Sequence, residues 1–367
     1  MVIEEFSALG FRNMEEIRVG FASGINVIHG ANGQGKTNLV EGLYFLNHLD
    51  SFRTHSLAAL IARGSPQCAI QGIVSTNQIR MKARTELTRR GRRVWVDDQP
   101  VPKLSAYVSS FFALVFNPDS LYLFRHVPAE RRWLVNRILS FWDSRYLAAL
   151  RELRVVHAQK NQLLKRGETA GLPAWNQLLA DKSHAIVTER ARFAGRVRSG
   201  LAETFSRLTG RDEALRLEYE PSLSGEPSDM VAALERAREQ EVRAGHALLG
   251  PHRDGLRLAL VAGDSSPANS SGRPDTLFSQ GEYRAALLAL QLALGRLMEE
   301  ERGFRPVLIL DDAFSELDDA IRARLYDELG RLANQMFITT TEPLHPLHAA
   351  GARIMEVRAG RVVSVRN

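Results

Sequence analysis

Eight residues, Gly30-Ala31-Asn32-Gly33-Gln34-Gly35-Lys36-Thr37, constrain this chain more than any others. An apolar run, Ile25-Asn26-Val27-Ile28, precedes them and reads as a buried strand, and Asn38 to Leu46 follows with helical apolar spacing. A glycine-rich turn between strand and helix, ending in Lys-Thr, is the form of a phosphate-binding loop. Glycines permit the tight turn and let backbone N–H groups converge on phosphate oxygens. The helix start adds unpaired N–H donors and the positive end of its dipole. In this pattern Lys36 reaches the β- and γ-phosphates and the Thr37 hydroxyl ligates Mg2+. A merely flexible turn does not call for Lys-Thr at the helix start. The chain is therefore expected to be α/β and to bind a nucleoside triphosphate.

The second metal-binding acid lies far away. Phe304 to Leu310 is an apolar strand pattern that ends in Asp311-Asp312. Carboxylates at the C-terminal edge of a central parallel strand stand where α/β proteins bind ligands. Asp311 is expected to hold Mg2+ opposite Thr37, and Asp312 to orient or deprotonate the attacking water. An Asp-Asp pair alone would read as a solvated strand end or a helix cap; the loop changes that reading. Most of the chain separates Lys36 from Asp311, unlike the compact unit of a small GTPase or kinase. A head assembled from both chain ends, with an insertion between, is the expected arrangement.

Ser279-Gln280-Gly281-Glu282 opens a long apolar pattern from Ala285 to Met298. Ser279 is a natural N-cap, and Glu282 three residues on completes a capping box. A Ser-x-Gly turn opening a helix upstream of the acidic strand also resembles the signature motif of ABC-type ATPases. Ala313-Phe314-Ser315-Glu316-Leu317-Asp318 resembles their dimer-facing D-loop. The four motifs in this order imply an ABC-type P-loop ATPase head. Its expected form is a mixed sheet with flanking helices and an antiparallel β subdomain, plus an inserted helical lobe.

Over nearly its whole length the chain resembles the RecF family of recombination mediators, relatives of the SMC ATPases that lack the long coiled coil. Phe11-Arg12-Asn13 matches an early family element, and Phe116 to Leu123 with Pro128 to Leu134 resembles a mid-chain signature. Leu249-Gly250-Pro251-His252-Arg253-Asp254 matches another. The chain departs from the family pattern at Ser120, Asn136, Gly255 and Glu282, and in the Gly/Ser/Pro-rich segment from Ala262 to Asp275.

The resemblance implies that Arg12 and Asn13 lie near the nucleotide. It implies that Ser279 and Gly281, with Gln280, Glu282, Ser315 and Asp318, face a nucleotide held by a second copy of the chain. Mg-ATP would then drive a homodimer that clamps double-stranded or gapped DNA, with weak, DNA-stimulated hydrolysis as the release switch. RecR, and through it the loading of RecA, are the implied partners, in the cytoplasm at the nucleoid. Thr339-Thr340-Thr341 stands where ABC transporters keep a switch histidine. The alternative, a nucleotide-binding subunit of an ABC transporter, would be shorter and carry a coupling helix where this chain has a long charged helical segment.

The 367 residues allow two domains. The head is expected over 1–125 and 246–367 and the lobe over 126–245, almost all helical. Asp143 to Lys165 is expected as one helix and Pro173 to Leu208 as a pair. Cys68 to Pro100 reads as antiparallel strands with tight turns at Arg89 to Arg93 and at Asp97-Asp98. A single cysteine, Cys68, rules out internal disulfides and cysteine-rich zinc sites. Glu4 and Glu5 near the start, and no apolar run of spanning length, point to a cytoplasmic protein without a membrane partner. A net charge of +6 permits nucleic-acid binding without demanding it. Arg89, Arg90, Arg92 and Arg93 could supply sequence-independent, salt-sensitive phosphate contacts, or serve only as a solvated turn.

Overall fold

The computed structural model describes residues 1–366 apart from 55, 77–78, 103, 105–106, 108–110, 263–272 and 342–350, so most of the Gly/Ser/Pro-rich segment lies outside the described residues. In chain order the first strands are β1 (Val2–Phe11), β2 (Met14–Gly20) and β3 (Ile25–His29), followed by helix α1 (Lys36–His48). Next come β4 (Gln67–Ser75), β5 (Arg80–Thr88), β6 (Gly91–Val96), β7 (Gln99–Pro100) and β8 (Ala113–Phe116). Helices α2 (Pro118–His126), α3 (Pro128–Trp142), α4 (Ser144–Arg166) and α5 (Leu172–Thr209) follow. Then come β9 (Ala214–Glu220), α6 (Pro227–Ala244), β10 (Gly255–Val261) and β11 (Arg273–Pro274). The chain closes with α7 (Gln280–Arg302), β12 (Val307–Asp311), α8 (Asp319–Gly330), β13 (Met336–Thr340), β14 (Arg353–Arg358) and β15 (Arg361–Arg366).

Two compact units result: 1–122 with 203–211 and 278–367, and 123–202 with 212–277. The first holds two six-stranded sheets. One is antiparallel, in the order β2-β1-β4-β5-β6-β7. Its strands β4 and β5 alternate buried and half-buried residues, as a sheet with one covered face requires. The turns fall where expected: Arg89-Arg90 joins β5 to β6, and Asp97 and Asp98, both at positive φ, turn β6 into β7. The other sheet runs β15-β14-β3-β13-β12-β8, parallel except for the β14–β15 edge.

Helix α1 touches strands of both sheets and is buried from Leu39 to His48, so even its Glu41, Asn47 and His48 lie inside, each hydrogen-bonded. Full burial of Leu39, Val40, Leu43, Phe45 and Leu46 stabilises this packing by about 1.5–3 kcal/mol per side chain. A Cβ on Gly42 would come within 2.6 Å of the Phe6 ring, so only glycine lets β1 approach this closely.

The second unit corrects two expectations. Residues 172–209 form one 38-residue helix rather than a pair, because Gly195 and Gly200 cost helix stability without breaking it. The stretch expected to be almost wholly helical contains β9, whose alternation Leu215-Arg216-Leu217-Glu218-Tyr219-Glu220 is a strand signal. β10 pairs antiparallel with β9, so residues 246–277 group with this unit, beyond the expected boundary at 245.

Buried charges organise the unit. Arg190, 2% exposed, donates to Asp254 Oδ2 at 2.6 Å, to the Pro251 carbonyl at 2.7 Å and to Asn136 Oδ1 at 2.9 Å. Asp254 Oδ1 accepts the Ser222 N–H at 2.9 Å, and Lys160 pairs with Glu241 at 2.6 Å. Arg131 and Arg132 donate to the carbonyls of Leu256 and Asp254. The 249–254 motif is thus a structural hub.

His252 Nε2 lies 3.2 Å from His157 Nε2. Burial, and then the charge of His157, with Arg253 and Arg132 adding, push the His252 imidazole down to about 4. The unfolded chain therefore takes up this proton near the ordinary value of 6.5 while the folded chain refuses it until about 4. The resulting stabilisation is fully present above pH 6.5 and is lost as pH falls through that window. Urea unfolding between pH 7.5 and 4 should show wild-type stability falling more steeply with acid than that of His252→Asn.

Candidate nucleotide site

The loop between β3 and α1 is shaped by its glycines. Gly30, Gly33 and Gly35 have φ of +150°, +76° and +106°. A Cβ on Gly30 would sit 2.4 Å from the Val357 carbonyl oxygen, and one on Gly35 2.9 Å from the Asn13 amide. The β14–β15 turn braces the loop from behind: the Gly360 N–H donates to the Gln34 carbonyl at 2.7 Å and the Ala359 N–H to Gln34 Oε1 at 2.8 Å. Gly35 is the N-cap of α1 and offers no side-chain acceptor, so the first N–H groups of the helix keep their bonding capacity for a ligand.

Strand β12, buried along its length, delivers Asp311 to the same place. The Thr37 hydroxyl donates to Asp311 Oδ1 at 3.0 Å, across 274 residues of sequence. Asp312 follows at φ +52°, a strained conformation for a residue with a Cβ. Lys36 Nζ donates to the carbonyls of Gly30 at 2.6 Å and Ala31 at 2.9 Å. Burial lowers the pKa of Lys36, opposed by the charges of Asp312 and Asp311. Burial raises that of Asp311, opposed by hydrogen bonds from Thr339 and Thr37. The cleft these residues line has a volume of about 380 Å³. Open N–H donors, a lysine and a threonine–aspartate oxygen pair on one cleft wall fit a Mg-nucleotide phosphate chain.

Other expected residues fall elsewhere. Arg12 and Asn13 do not line the cleft. Arg12 forks onto Glu41 of α1 with Nε–Oε2 2.8 Å and Nη2–Oε1 2.6 Å, and Asn13 accepts from Asn38 at 2.7 Å, so both support the loop from behind. Arg53 does line it, donating to Asn38 Oδ1 at 2.8 Å. Asn117 and Asp119 of the mid-chain motif, with Thr339 and Thr341, complete the wall. Family resemblance marked that motif and the threonine run, but nothing in local periodicity signalled Arg53.

Ser279, Gln280, Gly281, Glu282, Ser315 and Asp318 are absent from the cleft wall. The capping box forms as expected: Ser279 Oγ accepts the Glu282 N–H at 3.2 Å and the Ser279 N–H reaches Glu282 Oε2 at 2.7 Å. Asp318 caps α8, accepting from Ile321 at 2.7 Å. Arg284, one turn into α7 and 3% exposed, ties this helix to the 313–318 loop. It donates to the Ser315 carbonyl, to Ser315 Oγ at 2.8 Å and to Glu316 at 3.2 Å. An arginine at the head of a long apolar stretch was the available signal. In the basic hairpin, Arg89, Arg90 and Arg93 are exposed, whereas Arg92 is half-buried and donates to the Leu49 carbonyl.

Residues 2–360 match the family model described as the RecF/RecN/SMC N-terminal domain. The DNA replication and repair protein RecF of Geobacter metallireducens is 32% identical over 350 residues, 93% of either chain. The protein of the same name from Lactobacillus gasseri is 33% identical over 358 residues, again 93% of each. Among solved structures, the recombination mediator protein RecF-ATP of the RecFOR pathway superposes with a TM-score of 0.85 at 23% identity, covering 100% of this chain and 97% of that one. An SMC head bound to the C-winged helix domain of ScpA gives 0.60 at 17% identity, covering 100% and 97%. The fold is that of the RecF and SMC ATPase heads.

Arg284→Met should untie the 313–318 loop while leaving the loop at Gly30 to Thr37 intact. ATP turnover is expected to fall about tenfold or more from misplacement of Asp312 and its neighbours. Affinity for a fluorescent ATP analogue should stay within about twofold, since uniform binding is untouched.

Proposed function

Because the chain belongs to the RecF family, we propose that it is an ATP-dependent DNA-binding protein of recombinational repair. The proposal rests on one observation above the rest: Thr37 of the loop meets Asp311 of the acidic strand at 3.0 Å, on a wall shared with Lys36. The loop N–H groups and Lys36 would hold the phosphates of ATP. Mg2+ held by Thr37 and Asp311 would neutralise charge developing on the transferred phosphoryl group. Asp312 would orient the attacking water. As an Asp it is a methylene shorter than the Glu common in faster relatives, which fits slow turnover.

Ser279 and Gly281 lie off the cleft wall of their own chain, which supports a role in a second copy's site, with Ser315 and Asp318 at the same dimer face. ATP would then act through differential affinity for monomer and dimer. The head would come from the two chain ends, and the unit formed by 123–202 and 212–277 would be the lobe standing in place of a coiled coil. The dimer would clamp double-stranded DNA near a gap, with Arg89, Arg90 and Arg93 on phosphates and Arg92 anchoring their hairpin. Hydrolysis would open the clamp, and RecR with RecA loading would follow downstream. The transporter alternative is not favoured, since the matched relatives are named for DNA replication and repair.

Anisotropy of labelled gapped duplex DNA, with and without ATP, tests the clamp. ATP should tighten binding for the natural protein and leave Lys36→Met unaffected; DNA binding indifferent to ATP would sink the proposal. Ser279→Arg should abolish the ATP-induced dimer in light scattering while each monomer still binds ATP.

A further inference from the structure

We propose that Thr339, through its hydroxyl, is the positioning residue that sets both acids of the ATPase site. The inference deepens the proposed nucleotide reading and rests on it. β13 lies between β3 and β12, so the strand carrying Thr339 separates the loop strand from the acid strand. Asp311 and Thr339 form the last paired rung of β12 and β13. Beyond that rung the backbone of β12 turns into the left-handed conformation at Asp312, and no further ladder bond guides it.

The Thr339 side chain takes over from the ladder. Its Oγ1 accepts the Asp312 N–H at 2.9 Å and donates its proton to Asp311 Oδ1 at 2.6 Å. One hydroxyl therefore fixes the backbone of the water-orienting acid and the carboxylate of the metal-holding acid. The direction of the chain is set, because the N–H can only donate and the hydroxyl proton must go to the carboxylate. Such consecutive bonds polarise one another in a dry site, and Thr339 is 1% exposed and Asp311 3%.

Thr37 shares the same Oδ1 at 3.0 Å. With two hydroxyls on one oxygen, the Asp311 carboxylate has a single preferred orientation, which leaves Oδ2 for a cation. A strand interior satisfied by valine or isoleucine has no use for a hydroxyl here. Steric packing alone would be served by Val, which matches Thr in shape.

Thr339→Val keeps shape and strand propensity and removes both bonds, whereas Thr339→Ser keeps both bonds and loses the methyl. Outer partners of metal-holding carboxylates are worth about 10–100-fold in metal affinity or activity. The measurement is binding of a fluorescent ATP analogue as Mg2+ is titrated, alongside steady-state ATP hydrolysis. The Val variant should need about 10–100-fold more Mg2+ for half-maximal effect. Its kcat should fall while KM for ATP at saturating Mg2+ stays near wild type, and the Ser variant should follow wild type in both. If Val does not fold by circular dichroism, Thr339→Ala carries the same expectation. Wild-type behaviour in the Val or Ala variant overturns the inference, as does equal damage in Val and Ser. A natural protein that shows no Mg2+-dependent nucleotide binding would instead place the failure in the nucleotide reading itself.

Discussion

The hydrogen bond from Thr37 to Asp311 joins the two ends of the chain, and the rest of the head is arranged so that it can form. Parallel strands deliver their C-terminal ends to one edge, where ligands of α/β proteins bind. The order β8-β12-β13-β3-β14 sets the acid strand and the loop strand on either side of β13. Helix α1 carries Lys36 and Thr37 at its start, and two sheets hold it by its apolar flanks. A shift of α1 by one residue would expose an apolar side chain to a polar position, so core packing fixes the position of the phosphate loop. The β14–β15 turn and Asn13 close the loop from behind, which is why glycine stands at positions 30 and 35.

The polar groups of the head carry costs that their neighbours offset. Burial works against the charge of Lys36 and of Asp311 alike. Carbonyls at 2.6 and 2.9 Å answer the first, and two hydroxyls answer the second. The positive φ of Asp312 adds backbone strain of a kind that concentrates at functional sites. Arg284 extends the same economy of contacts outward, since one guanidinium holds both oxygens of Ser315 and the carboxylate of Glu316. Helix α7 and the 313–318 loop are therefore one mechanical piece.

The second unit is organised on different terms. Its centre is a set of buried ions, Arg190 with Asp254 and Lys160 with Glu241, each within 2.6 Å of its partner. Such pairs add little net stability over apolar residues, but breaking one leaves a buried charge alone and costs about 3–5 kcal/mol. Asn136 joins this network as a neutral acceptor, its Oδ1 taking a hydrogen bond from Arg190. Residues 249–254 match a family signature in sequence, and the structure commits Asp254 to the buried pair with Arg190.

Much of the head was legible in the chain itself. Gly30 to Thr37 between strand and helix, the apolar run into Asp311-Asp312, the capping box at Ser279 and the hairpin turns at 89–90 and 97–98 are local patterns with local causes. Where local pattern was weak the reading slipped: β9 hid among helices, and Pro173 to Leu208 read as two helices where α5 runs unbroken. What no local pattern contains is adjacency. That Arg53 lines the cleft, that Arg12 serves Glu41, that Arg284 braces Ser315 and that Thr339 bridges Asp311 and Asp312 follow only from strand order and register. The local patterns were readable because a glycine-rich strand–helix turn, an apolar strand ending in acids and a capping box each need fixed residue types at fixed local spacing. Tertiary structure alone decided which side chains hold those groups in place, because contacts between residues hundreds of positions apart are set by packing of the sheets around α1.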